Sequence, residues 1–305
     1  MTELNAPVAA DPQAVRQAVL REFFWLLGLP EERPLRRALQ PVLGPVVGRF
    51  TDLAAEFDQS VARVGLPAAI RPYIPRFTRR FMAVGADHVP DSGPALLVSN
   101  HPGAYDLFGV LSQLPRADVR VIVSDISILR HLPATSPHFI LIGRTEQSRM
   151  TAVRAAVRHL REGGVLFIFP GGIVDPDPAF MPGAAVALQR WSPSLELFLR
   201  RAPETQVVSV VVSGVLSPAW LRSPVTRLRE QAKDRQKVAE AFQVIQQLLL
   251  PGSLRTNPLI TFGPPLPAVD LLRSDAPVSA LQAIVDHQRV LLLLHKQLRA
   301  LGLAP

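Results

Sequence analysis

The distribution of apolar residues from position 84 onward is the feature that most restricts the fold. Six short, nearly continuous apolar runs occur at 95–98, 119–123, 139–142, 165–169, 207–212 and 259–262. Between them lie stretches of helical periodicity at 107–114, 147–161, 184–190 and 226–250, and a last one at 278–301 closes the chain. A strand with one wet face alternates apolar and polar side chains, whereas a strand covered on both faces does not. Runs such as Ala95-Leu96-Leu97-Val98 show no alternation. They predict an α/β fold with a mixed, mostly buried central sheet flanked by helices. At 48% hydrophobic and 19% charged, the chain has the material for such a core, which excludes a disordered protein.

The first 80 residues read differently. Asp11-Pro12 offers a cap and a first-turn proline, so a helix is expected over 12–27, with others over 34–43 and 46–64. The segment 71–81 mixes Arg71, Arg76, Arg79 and Arg80 with Tyr73, Ile74, Phe77 and Phe81. It reads first as a helix packed on the core with a solvated basic edge, and second as a segment lying on phospholipid headgroups. The expected organisation is a helical region over 1–80 followed by an α/β domain over 81–305. The N-terminus lacks the order of a signal peptide. The longest apolar runs, such as 23–27 and 290–294, fall far short of the ~20 residues a membrane helix needs. Action at a bilayer is therefore expected from its surface.

Composition removes several chemistries. Without cysteine there are no disulfides, thiolate zinc sites, iron–sulfur clusters or Cys nucleophile. The net charge of +8 is unevenly placed: residues 91–180 carry eight arginines and eight acids, while 181–305 carry 14 basic residues against 8 acids. Nucleic acid is disfavoured as a partner, since aromatics make up only 6% and no basic-aromatic motif occurs. Ser99 and Ser213 lack the Gly-x-Ser-x-Gly elbow of a serine hydrolase.

The chemistry-bearing stretch follows the first long apolar run: Ser99-Asn100-His101-Pro102-Gly103-Ala104-Tyr105-Asp106. A strand end delivers His101 to the crevice beyond the sheet edge, where α/β proteins bind ligands. Pro102-Gly103 makes a turn, and Asp106 can fold back onto the imidazole. The carboxylate then fixes one ring nitrogen and leaves the other as a general base. A strand running into Pro170-Gly171-Gly172 lets backbone N–H groups approach a ligand closely. Arg144, at another strand end, has the planar fork that suits a phosphate, or else pairs with Glu146 or Glu162.

These residues together resemble the glycerol-3-phosphate and lysophospholipid acyltransferase family. Asn100-His101 followed by Asp106 looks like its Asn-His-x4-Asp motif, and Phe139-Ile140-Leu141-Ile142-Gly143-Arg144 like its second block. Val165 to Gly172 is similar to the strand running into Phe-Pro-Glu-Gly, with Gly171 where the family has glutamate. The run 207–212 and Ile260 to Leu266 resemble the later strands, so the likeness covers about residues 81–270. It implies an acyltransferase with His101 as base, Asp106 as its orienter, Arg144 on the acceptor's anion and Gly171 and Gly172 as a substrate-binding loop. An acyl thioester, acyl-CoA or acyl-carrier protein, would be co-substrate, with no bound cofactor or metal. The acceptor would be a lysophospholipid, glycerol-phosphate or related lipid at an anionic membrane surface, met from the cytoplasmic face. The missing glutamate keeps open a catalytically inactive lipid-binding or scaffold protein on the same fold.

Other features carry plainer expectations. Asp175-Pro176-Asp177-Pro178 reads as a turn rather than a cation site. His131 and His138 lack ligand spacing and read as loop residues. Arg227, Arg229, Lys233, Arg235 and Lys237 read as a solvated basic helix face, with lipid headgroups or donor phosphates as the alternative contact.

Overall fold

The computed structural model describes residues 10–26, 34–103, 105–227 and 231–302. Two long helices lead: α1, Pro12–Leu26, and α2, Pro34–Val64. Among the described residues the eight strands are β1 Met82–Val84, β2 Ala95–Ser99, β3 Val119–Ser124, β4 Phe139–Ile142, β5 Val165–Ile168, β6 Gln206–Ser213, β7 Leu259–Phe262 and β8 Leu266–Pro267. The longer helices among them are α3 Asp106–Ser112, α4 Glu146–Arg161, α5 Ser194–Arg201, α6 Ala232–Leu249 and α7 Ala280–Ala300.

All eight strands join one sheet in the order β1-β7-β6-β2-β5-β3-β4, with β8 also pairing β6. The five strands β6, β2, β5, β3 and β4 run parallel, and β7 turns the direction by pairing antiparallel with β6. Both faces are covered, as the uninterrupted apolar runs require. Ala95 and Leu97 join the core under α3 with Val110 and Leu111. Leu96 and Val98 join the opposite core with Ala156 and Leu160 of α4, Phe198 of α5 and Ile284 of α7. The six expected strands are all present, and the mixed, helix-flanked architecture is the one the sequence implies.

The differences have physical reasons. The helices expected at 34–43 and 46–64 are one, despite Pro41 and Pro45 inside it. Each proline removes a ladder hydrogen bond, but Val46 and Val47 pack with Val15, Val19 and Phe24 of α1 and Leu248 of α6, and that burial carries the helix through. The expected helix 226–250 is broken: a short turn Pro224–Arg227 precedes α6, and Arg229 lies outside the described residues. The strands β1 and β8 are too short to show a pattern. Helix α5 went unread although Leu195, Phe198 and Leu199 recur at helical spacing and are buried.

Segment 71–81 packs on the core rather than presenting its apolar side. Ile74 is buried, Phe77 stacks on Tyr105 at 5.6 Å and Phe81 packs against the α3 core. Arg71 is spent on the C-terminal carbonyls beside α3, donating to Ser112 O at 2.9 Å and Leu114 O at 3.1 Å. Among the described residues, no helix is long and apolar enough to cross a membrane.

Candidate active site

Because β2, β5, β3, β4 and β6 are parallel, the segments that follow them emerge at one edge of the sheet. That edge receives His101 after β2, Phe169 to Gly172 after β5, Arg144 after β4 and Gly214 after β6. The last paired residue of β2 is Ser99, opposite Val210. Asn100 then prolongs the pairing with its side chain: Nδ2 donates to Val212 O at 2.9 Å, and Val212 N–H donates to Oδ1 at 2.8 Å. The amide imitates one more strand residue and aims the chain at the edge.

His101 and Asp106 meet as their spacing suggests. Nδ1 lies 2.8 Å from Asp106 Oδ2. A carboxylate only accepts, so Nδ1 carries the proton and Nε2 is the nitrogen left for chemistry. Asp106 is 1% exposed and is itself held by the Gly103 N–H at 3.0 Å and the Leu107 N–H at 2.5 Å. Gly103 makes this closure possible. Its φ is +125°, and a Cβ there would sit 2.8 Å from Glu240 Oε2 of α6.

The imidazole stacks on Phe169 with centroids 4.1 Å apart, and Phe169 meets Phe167 edge-on at 4.9 Å. The ring is thus fixed by a hydrogen bond in its plane and an aromatic against its face, with 30% of the side chain left exposed. Burial disfavours the imidazolium, but the charge and hydrogen bond of Asp106, then the charges of Glu240 and Asp175, outweigh it and raise the His101 pKa to about 9.

The glycine loop is only partly as expected. Gly172 has φ +65°, and its N–H is consumed by Phe169 O at 3.1 Å, closing the turn. It is therefore no donor for a ligand, which corrects the expectation that both glycines offer their amides. The Gly171 N–H makes no hydrogen bond among the described residues. Arg144 is not brought onto His101: β5 and β3 lie between their strands, three spacings or roughly 14 Å across the edge. Its side chain is exposed and pairs with neither Glu146 nor Glu162.

With this geometry in place, comparison with known proteins is informative. Residues 80–212 match the family model described as Acyltransferase. That stretch is an acyltransferase domain. Its match starts where the sequence motifs start and ends within β6. Among solved structures, the chain is similar to the crystal structure of the 1-acyl-sn-glycerophosphate (LPA) acyltransferase PlsC from Thermotoga maritima. The identity is 13% and the TM-score 0.45, over 94% of this chain and 99% of that one. No curated protein matches the sequence.

The acyltransferase domain contains one acid that sequence reading passed over. Asp175, taken as part of a turn, is 2% exposed and accepts from His101 N–H at 3.0 Å and from Arg190 at 2.9 Å. Asp177 is fully buried and accepts from the N–H groups of Gly214, Val215 and Leu216, so the two carboxylates tie different loops and share no cation site. Beyond the matched stretch, α6 turns Gln236 and Gln243 inward. Gln236 Nε2 donates to Pro102 O at 2.8 Å and Asp175 O at 2.7 Å, and Gln243 Nε2 donates to Val215 O at 2.8 Å. The available signal was a glutamine seven residues from another, which puts both on the helix face that also carries the buried Ala239.

Proposed function

We propose that the protein transfers a fatty acyl group from an acyl thioester, acyl-CoA or acyl-carrier protein, to a hydroxyl of a lysophospholipid, glycerol-phosphate or related lipid acceptor. The single observation carrying this is the His101–Asp106 hydrogen bond at the strand-end edge of an acyltransferase domain. Neutral His101 takes the hydroxyl proton on Nε2 as the oxygen attacks the thioester carbonyl, and Asp106 supports the imidazolium that forms. The Gly171 N–H is the donor offered to the developing oxyanion. Collapse of the tetrahedral adduct breaks the carbon–sulfur bond, and the imidazolium returns its proton to the departing thiolate. Arg144, solvent-facing at the same edge, is the contact for an anionic headgroup held away from the reacting hydroxyl.

The intact pair favours this reading over the inactive scaffold, because nothing in a scaffold requires a buried acid to orient a histidine whose second nitrogen is left open. Docking on an anionic membrane surface agrees with the +8 net charge. Thiol release from long-chain acyl-CoA, with a panel of lysolipid and glycerol-phosphate acceptors, tests the activity. His101→Ala should abolish turnover, and unchanged turnover would refute the mechanism. Binding to anionic liposomes should weaken as salt rises, and salt-independent binding would remove the surface reading.

A further inference from the structure

We propose that Asp175, neutralised by Arg190, is a positioning residue for His101: it holds the main chain of the base while Asp106 holds its ring. The proposal rests on the acyl-transfer reading for its kinetic consequence alone; the placement is argued from geometry. Past Ser99 the strand ladder has ended, and a base on an unsupported loop would wander by more than proton transfer tolerates. Asp175 closes both polar ends of His101. Its Oδ2 accepts the His101 N–H at 3.0 Å, and its own N–H donates to His101 O at 2.7 Å.

Gln236 then bridges the next carbonyl, Pro102 O, to Asp175 O, so two loops are locked together by a side chain from α6. A buried carboxylate needs a counter-charge. Arg190 supplies it on Oδ1 at 2.9 Å, from a side chain that keeps 44% exposure. The charged groups that face His101 are Asp106 at the start of α3, Glu240 of α6 and Asp175 after β5, with Arg190 behind the last. A mere loop staple would hold the chain without regard to the imidazole. A carboxylate fixed on the His101 main chain also sets the field at the ring, and that difference is measurable.

The experiment uses the full chain with labelled histidine, His101 being assigned by its loss in His101→Gln, and follows the imidazole titration by NMR. Asp175→Asn keeps an acceptor for the His101 N–H and deletes the charge, so the His101 pKa should fall by about one unit. Arg190→Gln strips the counter-charge and should move it the other way. Alongside, Asp175→Ala should lower kcat by about 10- to 100-fold with little change in KM, whereas Asp175→Asn should restore most of that loss. Titrations unmoved in both charge variants, or an Asp175→Ala enzyme with wild-type kcat, overturn the proposal. Should the alanine variant fail to fold, the asparagine and Arg190 variants decide. If wild type shows no acyl transfer, the functional reading falls, and the titrations still decide the placement.

Discussion

Replacing Asn100 by alanine tests whether the strand-imitating amide really carries the base. Asn100 is 5% exposed and Val212 is fully buried, so the two hydrogen bonds between them, at 2.9 and 2.8 Å, are shielded from water. Alanine leaves the Val212 N–H and C=O without partners on the β2 side. Each unsatisfied buried group costs about 1–3 kcal/mol, and the two together give an expected loss of about 3 kcal/mol. The assay is urea unfolding, read as a lower midpoint at unchanged slope. Asn100→Asp separates the two bonds: its carboxylate still accepts from Val212 N–H but faces the carbonyl of Val212 with an acceptor. It should be at least as damaging near pH 7 and partly relieved in acid, where a protonated carboxyl can donate. A loss below about 1 kcal/mol for Asn100→Ala would show that the β2–β6 ladder alone sets the exit direction.

The pH dependence of kcat/KM should show an acidic limb near 9, because the base form of His101 appears only above its raised pKa; Asp106→Asn should draw that limb down toward 6.5, and a wild-type limb already at 6.5 would contradict the site electrostatics. The same raised pKa stabilises the fold fully below 6.5, and that contribution is lost as pH rises through about 9, which alkaline unfolding of wild type against His101→Gln will measure. His295 is the reverse case: burial first, then Arg299 and Lys296, lower its pKa to about 3, while its ring nitrogens meet Ser213 Oγ at 2.7 Å and Thr261 Oγ1 at 2.8 Å. Its contribution is present above 6.5 and lost as pH falls toward 3, so stability should drop by about 1.4 kcal/mol per pH unit from this group within that window, with uptake of one proton on unfolding. Asp177→Ala frees three buried N–H groups, those of Gly214, Val215 and Leu216, and should cost about 3 kcal/mol or more by thermal or urea unfolding; a neutral result would mean that water replaces the carboxylate there.

The strands were legible because burial on both faces leaves a one-dimensional signature: Ala95 to Val98 or Leu259 to Phe262 cannot be solvent-facing in any arrangement. His101 and Asp106 were legible because five residues across a Pro-Gly turn is a local geometry. What stayed hidden is what depends on distance in the chain. Asp175 lies 74 residues from His101 and Gln236 lies 134 residues from Pro102, and neither spacing leaves a local pattern. Asp-Pro-Asp-Pro does form a connection between elements, as its composition says. Composition alone could not tell that alternate acids would face different loops, Asp175 toward His101 and Asp177 toward Gly214. The amide of Gly172 was misjudged for a different reason: glycine content indicates freedom of the backbone but not which carbonyl, here that of Phe169, has already claimed the N–H.

The sheet order also has a consequence in time. β2 sits between β5 and β6, and the loop beyond it is finished by Val212 and Gln236, all later in the chain. During synthesis the four apolar residues of β2 leave the ribosome more than 100 residues before their last partner. At about 5–20 residues per second, the wait for Gln236 is roughly 7–27 s. Until β5 is made the apolar strand has two open edges, and one stays open until β6 follows, a species prone to pair with other chains. Production of this protein should therefore gain from slower initiation or abundant holdase chaperones more than from anything that stabilises the finished fold.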